Sequence, residues 1–220
     1  MDNKHMSNLP KDSKQVPSSK PNEAGAVSIQ GHIKIFDPIT KEVFIDKRNA
    51  IHYENFSIAL AQSISNQGPG PIAEMVFGNG GTRVDPTGII TYLTPNTIGS
   101  NAALYNWTYY KTVDAKRSYS LDPARNFMET RHIAGTAYTD VLVSCLLDFG
   151  EPHDQLAFDN STNSDGAYVF DELGLKSYVD TGPNEGMLLT HVIFHPVQKS
   201  LNRMIQIDYT IRIQSISTGI

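Results

Sequence analysis

Five large apolar side chains near the C-terminus, Ile205, Ile207, Tyr209, Ile211 and Ile213, alternate with Gln206, Asp208, Thr210, Arg212 and Gln214. Period two sends one set to each face of a strand, apolar inward and polar outward. A slip of one residue would bring all five into water, so the pattern itself fixes the register. Val27, Ile29, Gly31, Ile33 and Ile35 repeat the alternation near the other end, against Ser28, Gln30, His32 and Lys34. Asp37-Pro38-Ile39-Thr40 then carries turn chemistry, and Glu42-Val43-Phe44-Ile45-Asp46 returns as a second strand, so a hairpin is predicted.

Helical spacing occurs over about 55–67, where Phe56, Ala59, Leu60 and Ile64 share one face and Ser57, Gln62, Ser63 and Ser65 the other. Asn55 is the expected N-cap, its side-chain oxygen accepting from a free backbone amide, and Gly68-Pro69 is the stop. Further strands are predicted over 72–77, 89–93, 105–113, 126–133, 139–147 and 187–195, with mixed strand and turn over 168–178. Turns fall at 78–82 and 85–88, and loops at 94–103, 117–124 and 148–167. About ten short strands and one amphipathic helix predict a mainly β fold, a β-sandwich or barrel-like domain. No internal repeat and no interdomain linker is visible. Residues 1–24 are rich in Lys, Ser, Asn, Pro and Asp and read as a disordered N-terminal arm, leaving 25–220 as a single β-rich domain.

Composition narrows the functions. Of 220 residues, 40% are hydrophobic, enough for a real core, and 19% are charged, which suits sheets with uncharged polar faces. A net charge of −5 without a basic stripe argues against nucleic acid and against an acidic membrane surface. The longest apolar run is too short to span a bilayer, and no signal peptide is evident. Cys145 is the lone cysteine and lies in Val141–Leu147, an apolar run. It reads as a buried free thiol in a chain folded in a reducing cytosol.

Candidate chemistry is sparse. Gly78-Asn79-Gly80-Gly81-Thr82 follows a strand but lacks the Lys and the helix start of a phosphate loop, so a turn is the reading. His191 and His195 would share a strand face about 13 Å apart, too far for one ion, and read as two ordinary sheet histidines or as part of an oligomer interface. The segment from Ser161 to Glu172 resembles a calcium loop in its oxygen donors and Gly166, but has Ser at the first position. Acids from Asp148 to Asp165 are solvating loop residues or, in a hydrolase, an acidic pair. Tyr105, Trp107 and Tyr109 would line one face with Tyr110 beside them, as core or as a sugar-stacking or partner-contact patch. No nucleophile, base and orienter assemble from spacing, so no catalytic, cofactor-binding or metal-ligating residue is assigned and the chain reads as a non-enzyme.

Two segments resemble virion proteins of tailed bacteriophages. Ala73-Glu74-Met75-Val76-Phe77-Gly78-Asn79-Gly80-Gly81 is similar to an early "FGNGG" stretch, and Phe170-Asp171-Glu172-Leu173-Gly174-Leu175 to a later "DE(I/L)GL" stretch. The apolar strand Leu188–Phe194, then Pro196 and Lys199, then the long alternating strand complete an order like that of the attachment modules of tail-collar and tail-fibre proteins. The resemblance covers roughly 49–213 and implies structure only, with no catalytic residues. The chain ends at Ile220 without a repetitive shaft or receptor-binding tip, so the expectation is a separate subunit. It would be a tail, neck or baseplate adaptor or fibre-attachment protein in the virion, assembled in the host bacterial cytoplasm. Its partners would be other virion proteins and copies of itself, held through protein–protein contacts with no cofactor. The arm 1–24 and the loops 94–103 and 148–167 are the expected contact surfaces. Head decoration is the alternative, and a carbohydrate-binding module a more distant one.

Overall fold

The alternation at the C-terminus becomes the middle of a sheet. A computed structural model describes residues 25–68, 70–116, 120, 122–155 and 167–217. Among these residues the strands are β1 (Gly25–Phe36), β2 (Val43–Ile51), β3 (Ile72–Gly78), β4 (Thr82–Val84), β5 (Ile90–Tyr92), β6 (Trp107–Thr112), β7 (Phe127–His132), β8 (Tyr138–Leu147), β9 (Tyr168–Ser177), β10 (Leu188–Lys199) and β11 (Ile205–Ser217), with one helix, α1 (Tyr53–Ser65), after β2. Nine strands form one antiparallel sheet in the order β6-β3-β9-β10-β2-β1-β11-β8-β7, and β4 pairs β5 apart from it. The mainly β, sandwich-like or barrel-like class read from the sequence is the class observed. The arm 1–24 lies outside the described residues.

The sheet curls at β2. Its Val43–Asn49 part pairs with β1, and Ala50 and Ile51 pair with β10. The two halves then share one core, with Ile33, Val143, Cys145, Ile207 and Tyr209 from one and Met75, Phe77, Phe170 and Phe194 from the other. Phe170 meets Phe77 and Phe194 edge-on, at 5.5 and 5.7 Å between ring centroids.

The hairpin closes as expected, with Asp37 Oδ1 accepting from the amides of Ile39 and Thr40. In β11 the apolar set Ile205 to Ile211 is buried and its polar neighbours are half-buried. Three expectations change. The N-cap is His52 instead of Asn55: its Nδ1 accepts from the Asn55 amide at 3.2 Å. Asn55 instead lies fully buried in the first turn, its amide donating to Leu188 O. Ile64, expected on the buried face, is 79% exposed because the sheet meets the helix along Phe56 and Ala59. The expected mixture of strand and turn over 168–178 is one continuous strand over 168–177, β9, buried on both faces. On its second face Leu104, with Ala102 from the end of the expected loop 94–103, packs on Val76 and Leu188.

Candidate functional site

The two segments carrying the phage resemblance meet in space. β3 ends in Gly78, β9 carries Asp171 and Glu172, and the strands are registered with Gly78 opposite Glu172. Glu172 Oε1 accepts from the amides of Gly80 (3.1 Å) and Asn106 (2.8 Å), and Oε2 from the amide of Tyr105 (2.9 Å) and from His191 Nε2 (3.0 Å). Asp171 accepts from the amides of Gly81 and Thr82, at 2.9 Å each, and from the Thr82 hydroxyl. One acidic pair thus clasps the turn after β3, the start of β4 and the approach to β6.

Glycine makes the approach possible. A Cβ on Gly78 would stand 2.5 Å from both Glu172 Oε1 and Asn106 O, and one on Gly80 would stand 2.7 Å from Tyr105 Cβ. The glycine-rich segment is a turn, as read from the sequence, and its amides form a carboxylate receptacle.

His191 extends the clasp. Its ring is fully buried, and its Nδ1 accepts from the Asn96 amide at 2.7 Å. That bond leaves Nε2 as the donor to Glu172, so the tautomer is set by two elements at once. His52 does the same nearby, with Nε2 donating to Gly99 O at 2.9 Å. Loop 94–103 is thereby tethered at Asn96 and Gly99. Burial pushes the Glu172 carboxyl up, but the His191, Asn106 and Tyr105 bonds outweigh it and leave the group below its usual range. Burial pushes the Asp171 carboxyl up by more than the Thr82 and Gly81 bonds pull it down, and the Glu172 charge adds to the rise.

A second polar knot anchors the start of loop 148–167. Lys199 is fully buried at the end of β10, and its Nζ donates to the carbonyls of Asp148 (2.9 Å), Glu151 (2.6 Å) and Ser200 (2.9 Å). Three donors meet three acceptors, which satisfies the ammonium. Burial still brings its pKa down to about 8. Lys111 bridges from β6 to Leu146 O of β8 and pairs with Glu151. Asp148 forms an ion pair with Arg125 at 2.6 Å.

The remaining candidates separate. His191 is buried against Glu172, whereas His195 is exposed beside Tyr92, its Nδ1 at 3.3 Å from the Tyr92 hydroxyl. A register break between Ile193 and Val197 divides them. The aromatic face divides too. Tyr109 lies in the main core, and Trp107 packs on the outer cluster of Val76, Leu104 and Leu188 because the β3–β6 register shifts at Gly78. Of the calcium-like loop, Glu172 is committed to the clasp, and Ser161 to Gly166 lie outside the described residues, as do Asp159 and Asp165. Among the described residues no three metal-ligating side chains converge, and no helix is long and apolar enough to cross a membrane.

The surface also carries depressions, two of them beside β7–β8 and β6. A groove of about 750 Å³ runs between α1 and β7–β8, lined by Phe56, Ala59, Leu60, Met128, Val141 and Ile213, with Lys116 and Glu129 also in its wall. A smaller one of about 370 Å³ lies beside β6 at Tyr109, Tyr110, Lys111, Asn126, Tyr178 and Asp180. Comparison of the chain with protein-family models, with curated proteins and with solved structures finds no match.

Proposed function

We propose that this chain is a non-enzymatic structural component of a tailed-phage particle, a tail, neck or baseplate adaptor or fibre-attachment subunit that works through protein–protein contacts. The observation that carries the reading is the clasp. The resembling segments are neighbouring strands, and their carboxylates are spent on backbone amides at 2.8–3.1 Å. Acids used this way set the shape of a scaffold. What they hold in place is surface: the tethered loop 94–103 and the β4–β5 hairpin, which exposes Val84, Ile89 and Tyr92.

The reading is tested by copy number in purified particles beside the native mass of the isolated chain. Six, twelve or a few dozen copies per particle support a tail, neck or baseplate position. Hundreds of copies move the protein to the head as a decoration subunit. Absence from every particle sinks the virion reading, and a glycan array then tests the carbohydrate-binding alternative. Deletion of residues 1–24 is expected to reduce incorporation, since the arm is the contact this reading assigns to a neighbouring subunit.

A further inference from the structure

Among the described residues the nine-stranded sheet ends at β6 on one side and β7 on the other, and the two edges are finished differently. At β6 the side chain of Gln155 accepts from the Tyr110 amide at 2.9 Å and donates to the Tyr110 carbonyl at 3.1 Å. The carboxamide stands where the peptide group of a next strand would stand. Asp154 and Gln155 adopt the left-handed region to put it there, with φ of 59° and 54°. At β7 no described residue outside β8 bonds the strand backbone. Thr130, Arg131 and His132 are exposed, and the strand has no proline and no bulge to block pairing.

Charge on the outer face says what fits there. Arg212 of β11 makes two bonds of 2.8 Å to Asp140 of β8. Asp140 is registered opposite Arg131 of β7. The row therefore runs basic, acidic, basic and stops at the open edge, so the next strand should place an acid opposite Arg131. Glu129 lies two residues along the same strand face and folds back onto Arg131. A second β7, antiparallel about a two-fold axis at Thr130, supplies that acid. Glu129 then faces the partner's Arg131, Arg131 faces the partner's Glu129, and Thr130 faces the partner's Thr130.

We infer that β7 is a self-association edge, through which two copies join their sheets antiparallel about Thr130. The interface is isologous, with both ion pairs generated by one symmetry operation. This deepens the reading of a contact protein and rests on the sheet edge alone. Its failure leaves the particle copy number unaffected, and the converse holds too. A six-strand-residue seam is small, so the dimer forms and dissociates with concentration.

Sedimentation equilibrium of the full chain tests it. The expected result is a reversible monomer–dimer system. Glu129→Arg and Arg131→Glu each weaken association by about tenfold, since like charges then face each other. The double swap E129R/R131E restores association, because the exchanged charges again face their opposites across the axis. Circular dichroism of each variant checks that it folds. Directly opposite residues in such a seam have Cα atoms about 5 Å apart, within disulfide reach. Thr130→Cys should therefore cross-link on oxidation, whereas Ser57→Cys on exposed helix surface should not, and buried Cys145 does not interfere. A monomer at every concentration, single reversals without effect, or equal cross-linking at 130 and 57 would overturn the inference.

Discussion

Glu172 meets four donors from three stretches of chain, while Lys199 meets three carbonyl acceptors, and the two sites test opposite ends of the pH scale. Glu172→Gln keeps the shape but turns an NH₂ toward donors, and it should cost about 2–4 kcal/mol in urea unfolding at neutral pH. The folded Glu172 carboxyl lies below its ordinary value of 4.5. Its contribution is therefore present above about pH 4.5 and fades as pH falls through the folded pKa, so E172Q should flatten the acid limb of a stability–pH curve. Lys199 has its pKa depressed from 10.5 to about 8. Its contribution is greatest above 10.5 and is lost as pH falls toward 8, so stability from this group rises with pH across that window. Lys199→Met should abolish that rise and remove the donor of Glu151 O, while Asp148 O and Ser200 O keep the amides of Glu151 and Arg203, so the cost should be about 1–3 kcal/mol near neutrality.

Elements here are fixed by their ends. α1 begins where His52 and Asn55 tie it to Gly99 and Leu188, so the helix start, loop 94–103 and β10 form one unit. Asn55→Ala should lose about 1–3 kcal/mol by leaving the buried Leu188 carbonyl unpaired, and hydrogen exchange should quicken at loop 94–103 as well as in α1. The β3–β4 turn has room for hydrogen alone at Gly78. Gly78→Ala must displace a backbone carbonyl or the Glu172 carboxylate, so a fall of several degrees in Tm is expected, checked by calorimetry.

At the scale of the molecule, two half-sheets close on one core, and Cys145 lies in it with no exposed surface. Burial pushes its thiol up to about 12. The native protein should therefore leave Ellman's reagent unreacted at pH 8 and titrate one thiol on unfolding. The unequal edges are also a whole-molecule property. At one, Gln155 caps the β6 backbone, and at the other no described residue outside β8 bonds β7.

The hairpin and β11 were legible because each strand there has one buried and one wetter face, and that difference is written directly as alternation. β9 was legible only in part: with both faces buried, Leu173, Gly174, Leu175 and Lys176 carry no alternating signal. Asn55 has the better local capping chemistry, yet His52 caps α1 because Gly99, 47 residues away, holds its ring. Both motif segments stood out in the sequence, but their meeting did not, since Gly81 and Asp171 lie 90 residues apart and only strand order makes them neighbours. Periodicity and turn chemistry are local, so the sequence by itself determined the fold class, the helix and the clearest strands. Which acids clasp which amides, which loop is tethered and which edge Gln155 caps depend on long-range pairing, and only the tertiary structure decided them.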